Sequence, residues 1–311
     1  MRICVVGCGA VGSLFAANLA QLDDVEVWAY DLSQAHVDAI TASGLRLIGA
    51  GEVVGHVRAT TDAAAVPACE FGIVATKAMH TENAIAATAH AFADGAVASV
   101  QNGVGNEEAI ARHVARVIRG TTFPAGRILE PGVVHWDVKG DTTLGPFEPS
   151  PAGTAEIEQL ANACTRGGMP TAAVADARPA QWRKVVFNAA TNPVGALTGL
   201  THGRVCERPE LRALVSALVA EGKAVAAAQD ITLDADPEEL IDHAARPEVA
   251  YDHKASMLQD VEACRPTEID FLNGGIGRYG RELGVPTPLN DAITQLVKAL
   301  EDSWSSRSPG R

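Results

Sequence analysis

The 311-residue chain has no Cys-x-x-Cys pair, no H-E-x-x-H, no internal repeat and no block of like charge longer than a few residues. Each absence removes a class of function. The six cysteines (Cys4, Cys8, Cys69, Cys164, Cys206 and Cys264) are scattered, and read as reduced, mostly buried thiols of a cytoplasmic protein. The nine histidines show no metal-ligand spacing, so no metal is expected. A net charge of −13 without clustered Lys and Arg argues against nucleic acid or an anionic membrane as partner. No apolar stretch reaches the length of about 20 residues that a membrane helix needs. What remains is an ordinary globular composition, 47% apolar and 20% charged, at a length that suits two domains.

The opening "MRICVVGCGAVGSLFAANLA" imitates a signal peptide, with a basic residue before an apolar run. Its glycines make a poor helix, however, and they form a different pattern. The β-branched run Ile3 to Val6 reads as a buried parallel strand. Gly7-Cys8-Gly9-Ala10-Val11-Gly12 follows, then a helical "SLFAANLAQL". This is G-x-G-x-x-G between strand and helix, the context that points to a dinucleotide pyrophosphate at a helix N-terminus.

A second strand, "VEVWAYD", ends at Asp31, nineteen residues after Gly12. A carboxylate there accepts hydrogen bonds from adenosine ribose hydroxyls and repels a 2′-phosphate. Residues 32 to 45 contain no Lys or Arg to bind one, so NADH is favoured, with NADPH the alternative. Strands at 71–77, 96–103 and 117–123 alternate with helical stretches near 81–93 and 106–115, which implies a doubly wound, mainly parallel sheet. Lys77 and Asn102 fall at strand ends, where ligands of such sheets bind. "VVHWDVKGDTTLGPFE" reads as antiparallel strands closing this Rossmann domain, residues 1–175.

Residues 176–311 read as an all-α domain, with helices at 178–198, 208–228, 237–245, 252–263, 266–283 and 288–304. The tail "SSRSPGR" reads as disordered. Within "QWRKVVFNAATNP", Lys184, Asn188 and Asn192 recur at i, i+4 and i+8, a stripe that drifts only about 80°. An ammonium there can stabilise and protonate the oxyanion of a reduced ketone, and amides beneath it can orient a polar substrate. Snorkelling Lys and satisfied amides are the competing structural explanation. Pro193 removes a backbone N–H from this helix and is expected to free a carbonyl toward the ligand cleft. Glu268, just after Pro266, is expected in the first turn of a helix.

Taken in order, "GCGAVG", "TKA" (76–78), "QNGVGNEE" (101–108), "WRKVVFNAATNP", "KASMLQD" (254–260) and "RPTEIDFLNG" (265–274) make the chain resemble the ketopantoate reductase (2-dehydropantoate 2-reductase) family over about residues 1 to 290. The resemblance implies reduction of a branched 2-oxo acid, ketopantoate to pantoate in pantothenate and coenzyme A biosynthesis, with NAD(P)H. It implies Lys184 as general acid, Asn188 and Asn192 as substrate amides, and Ser256 at the substrate carboxylate. It further implies Glu268 bridging substrate and cofactor, Asn102 and Lys77 near nicotinamide and ribose, and a backbone contact at Gly126.

Two positions depart from the family pattern. Asp31 stands where the family usually has an arginine for the NADP phosphate. His202, ten residues after Asn192, stands where it tends to have an asparagine, and is kept as a substrate neighbour. The alternatives are a related enzyme acting on another 2-oxo acid, a β-hydroxyacid dehydrogenase, and a non-catalytic NAD-sensing regulator. The sequence leaves assembly as a homodimer open.

Overall fold

The structure, a computed structural model, describes residues 1–305; the rest of the tail "SSRSPGR" lies outside the described residues. The chain divides into two compact units. One comprises Met1–Gln101 and Gly105–Ala177, the other Asn102–Val104 and Arg178 onward.

The first unit runs β1 (Arg2–Val6), α1 (Ala10–Leu19), β2 (Glu26–Tyr30), α2 (Gln34–Ser43), β3 (Leu45–Gly49), β4 (Val53–Gly55), β5 (Arg58–Thr60), β6 (Phe71–Val74), α3 (Thr81–Thr88), β7 (Ala96–Ser99) and α4 (Asn106–Ala111). It continues with β8 (Val117–Thr122), β9 (Ala125–Glu130), β10 (Val133–Val138), β11 (Thr142–Pro146), α5 (Thr154–Arg166) and β12 (Thr171–Ala173). Eight strands form one sheet in the order β12-β11-β8-β7-β6-β1-β2-β5. β1 pairs in parallel with β2 on one side and β6 on the other. The strand order reverses at β1, so the crevice beyond its carboxyl end is the place where such sheets take ligands. Ile3, Cys4, Val5 and Val6 are all 0% exposed, as expected of a strand covered on both faces.

A second, four-stranded sheet in the order β4-β3-β10-β9 is not foreseen from the sequence. Val133–Val138, expected to be antiparallel, pairs antiparallel with β9 and parallel with β3. Strands of three residues such as β4 and β5 are too short to show a period. The small sheet explains α1, which packs against β1 and β2 and also against β3, β4, β9 and β10. Every residue from Gly12 to Leu19 is accordingly buried, and the helix has no polar face.

The second unit contains α6 (Arg178–Thr198), α7 (His202–Cys206), α8 (Pro209–Ala227), α9 (Pro237–Ala244), α10 (Ser256–Glu262), α11 (Asn273–Leu283) and α12 (Pro288–Ser305). α6 packs against α8, α9, α10 and α12 around buried Trp182, Val185, Val186, Val219 and Val297. One expectation is corrected here. The helix expected from 266 begins only at Asn273, so Glu268 is not in a first helical turn. Residues 267 to 272 form a bonded turn instead. The Thr267 amide donates to Glu301 Oε1 at 2.8 Å, and the Phe271 and Leu272 amides both donate to the Glu268 carbonyl. The Thr267 hydroxyl also accepts from the Ile269 amide at 3.3 Å. Side-chain partners of this kind compete with the helical ladder. The helix expected over 252–263 is likewise shorter, at Ser256–Glu262.

Candidate active site

In the first unit the glycine motif forms the turn from β1 into α1. A Cβ at Gly12 would lie 2.0 Å from the Gly7 carbonyl oxygen, so only hydrogen allows the helix to start this close to the strand. At Gly9, the N-cap of α1, a Cβ would meet nothing within 4 Å, and no side chain caps the helix. The first-turn amides of Ala10, Val11 and Gly12 therefore face an open approach that suits a phosphate.

Asp31 follows β2 on the adjacent strand. Its Oδ2 accepts from the Cys8 amide at 2.8 Å and its Oδ1 from the Ser33 amide at 2.9 Å. A carboxylate offers about four acceptor sites, so the two oxygens can still receive ribose hydroxyls while tying the glycine turn to β2. Lys77 follows β6, as the N-cap of a short 3-10 turn at Ala78–His80. Gly126 lies in β9 opposite Trp136, within the small sheet.

In the second unit Glu268 is 6% exposed and accepts from the Asn102 amide nitrogen at 3.3 Å. The Asn102–Val104 segment is fastened to the same turn, because the Val104 amide donates to the Phe271 carbonyl at 2.9 Å. Gly103 lies between them at φ +84°, and a Cβ there would come within 2.6 Å of that carbonyl oxygen. Lys184 of α6 lies within reach of this carboxylate's charge. The lysine is partly exposed as a residue, but its ammonium end is desolvated, and its pKa is pushed down to about 8, burial being the main cause and the Glu268 charge opposing it. Lys184, Glu268 and Asn102 thus form one cluster of cation, carboxylate and amide.

Further along α6, Asn188 is 9% and Asn192 6% exposed. Asn192 Oδ1 accepts from the Thr191 hydroxyl at 3.3 Å. Among the described residues Asn188 makes no side-chain hydrogen bond, which leaves its amide open to a ligand. Ser256 is exposed at the first position of α10, which packs on α6. The carbonyl freed by Pro193 does not face a cleft as expected. It is that of Ala189, and it accepts from the buried Asn273 amide at 2.8 Å. Asn273 stands in a motif noted in the sequence but is not singled out there. The signal was available, since a proline inside a helix demands a new donor four residues back.

Models of the family "Ketopantoate reductase PanE/ApbA" match residues 3–149, and of its C-terminal domain residues 176–301. The 2-dehydropantoate 2-reductase of Pyrococcus horikoshii is 33% identical over 305 residues, spanning 97% of this chain and 98% of the relative. The chain belongs to the ketopantoate reductase family. It is therefore an enzyme, an NAD(P)-dependent oxidoreductase. Among solved structures, a PanE/ApbA family ketopantoate reductase from Ralstonia eutropha JMP134 is similar at TM-score 0.88 and 30% identity, over 98% of this chain and 100% of that one. A D-mandelate dehydrogenase with NADH and anilino(oxo)acetate is similar at TM-score 0.89 and 29% identity, over the same shares.

Within this ketopantoate reductase fold, His202 opens the five-residue helix α7. Its ring stacks on Phe187 with centroids 5.6 Å apart, and its Nε2 lies 3.1 Å from the Ile241 carbonyl. Burial, more than any charge, holds its pKa below the usual histidine value. Among the described residues no group of matched metal-ligating side chains occurs, and no helix is long and apolar enough to cross a membrane.

Two consequences are measurable. Gly103→Ala should destabilise the protein by roughly 1–3 kcal/mol, from a left-handed φ and a backbone collision. An unchanged midpoint in denaturant unfolding would show that the turn yields freely. Lys184→Met should raise stability at pH 7 without nucleotide, by on the order of 2 kcal/mol, because it removes a desolvated charge. A lysine with a pKa depressed from 10.5 to about 8 carries its full penalty below pH 8 and loses it as pH rises toward 10.5. The gain from Met should shrink over that window, and a gain constant with pH would assign it to packing instead.

Proposed function

We propose that the enzyme reduces a branched 2-oxo acid, 2-dehydropantoate first among them, to the 2-hydroxy acid with NADH. The observation that carries this reading is the Lys184–Glu268–Asn102 cluster beside two largely buried amides on one helix stripe. NADH, held by the Gly7–Gly12 turn and Asp31, would supply a hydride to the keto carbon. Negative charge then grows on the keto oxygen. Lys184, protonated below pH 8, stabilises that charge and transfers its Nζ proton to give the hydroxyl. Because its pKa is lowered toward neutrality, Lys184 gives up a proton more readily than an ordinary ammonium.

Glu268 limits the fall of that pKa and accepts from Asn102, and is read as the group that orients the new hydroxyl. Asn188 and Asn192 are assigned to polar substrate groups and Ser256 to its carboxylate. The Gly7–Gly12 turn is assigned to the pyrophosphate, Lys77 to the nicotinamide side, Gly126 to a backbone contact and His202 to the substrate's neighbourhood.

A second reading has specific support. Asp31 and His202 both depart from the family's usual residues, and a structural neighbour of this chain is a D-mandelate dehydrogenase complexed with NADH. An aromatic 2-oxo acid such as phenylglyoxylate is therefore the rival substrate. A screen of NADH and NADPH oxidation with ketopantoate, 2-oxoisovalerate, 2-oxoisocaproate and phenylglyoxylate separates the two readings by kcat/KM. No oxidation with any of the four would overturn both readings and assign the enzyme another substrate.

Lys184→Ala should lower kcat by at least ~100-fold with NADH binding nearly intact. In the unsubstituted enzyme, chemistry-limited reduction should fall as pH rises through about 8, as Lys184 loses its proton. A near wild-type kcat in the variant would remove Lys184 from the mechanism. Asp31→Arg should shift kcat/KM toward NADPH by roughly 10- to 1000-fold, since a guanidinium binds the 2′-phosphate that a carboxylate repels. Preference of the unsubstituted enzyme for NADPH at equal subsaturating concentrations would defeat the Asp31 argument.

A further inference from the structure

We propose that Asn273 is a positioning residue of the reductase: its buried amide holds the break that Pro193 makes in α6, and so sets Asn192 against Asn188 and Lys184. This rests on reading the α6 stripe as the substrate side of the site.

The helical ladder joins each N–H to the carbonyl four residues earlier, so a proline at 193 leaves Ala189 O without its donor and its ring presses on that oxygen. Asn273 Nδ2 replaces the missing donor at 2.8 Å and gives its second hydrogen to Asn290 Oδ1 at 3.0 Å. Both asparagines are 0% exposed. Asn290 Nδ2 donates in turn to Glu221 Oε2 at 2.7 Å. The same Glu221 carboxylate receives the Leu289 and Asn290 amides, both at 2.9 Å, which are orphan donors of the first turn of α12. The starts of α11 and α12 and the middle of α8 are thereby connected to one carbonyl of α6.

The place of that carbonyl gives the connection its consequence. Asn188 precedes Ala189 and Asn192 precedes Pro193, so the four backbone steps that separate the two amides are those the proline disturbs. Asn273 Oδ1 is itself buried without a partner. Such an oxygen costs about 1–3 kcal/mol, so apolar packing alone would be better served by another side chain. What the position uses is the pair of donors. Without them Ala189 O is left unsatisfied, and the helix must tighten or admit water at the point that spaces the substrate amides.

The test is a double-substitution cycle with Pro193→Ala, which returns an N–H to residue 193. Asn273→Ala should lower kcat/KM for the 2-oxo acid by about 10- to 100-fold, with KM for NADH changed by less than about twofold. In the Pro193→Ala background the same substitution should cost no more than about threefold. If Asn273→Ala does not fold, Asn273→Ser is compared across the same two backgrounds. An equal loss in both backgrounds, or a parallel loss toward NADH and the oxo acid, would overturn the positioning role and leave a purely structural one. Absence of turnover in the unsubstituted enzyme is a separate result: it would overturn the functional reading itself, and the positioning role with it.

Discussion

Lys184 is an ammonium on a helix that is otherwise largely apolar, and burial works against its charge while the Glu268 carboxylate opposes that pressure. How much proton affinity survives depends on where Glu268 is held, and therefore on a turn that is not a helix. Glu301 engages the backbone on one side of that turn, at Thr267. On the other, Asn102–Val104 binds to it through the Glu268 carboxylate and the Phe271 carbonyl. A carboxylate held farther from Lys184 would leave burial less opposed and move the ammonium toward the neutral amine. A neutral amine does not suit a proton donor near neutral pH.

The first unit solves a different problem with a similar economy of groups. Asp31 accepts from the Cys8 amide, so the residue assigned to nucleotide choice also ties the glycine turn to the neighbouring strand. α1 can begin hard against Gly7 because Gly12 has no side chain, and it is buried all round because a second sheet covers its outer face. A Cβ at Gly7 or Gly12 would collide with neighbouring atoms, whereas one at Gly9 would meet open space.

Much of the fold could be read from local pattern. The run Ile3–Val6, the glycine turn and the next strand signal a Rossmann unit, because a doubly covered parallel strand needs a continuous apolar run. The helix at 178–198 is visible because it is long and rich in Ala and Val, with polar groups in a column. The small sheet was hidden, since strands of three to six residues, partly exposed, have no period to detect. Glu268 was misplaced because a proline followed by an acidic residue looks like a helix start. The bond from the Thr267 amide to Glu301, thirty-four residues away, has no local signature.

What the sequence by itself determined is the set of groups and their chain spacing. A carboxylate stands at the end of the second strand, and an ammonium and two amides share one stripe of a helix that a proline interrupts. These follow from the 3.6-residue repeat and from strand alternation, which are properties of the backbone. Only the tertiary structure decided which groups meet and in what electrical state. Lys184 is 84 residues from Glu268 in the chain, and its lowered pKa comes from the atoms packed around it. The carbonyl opened by Pro193 went to Asn273 and not to a ligand for the same reason. Desolvation and long-range hydrogen bonds depend on distance in space, which spacing along the chain does not specify.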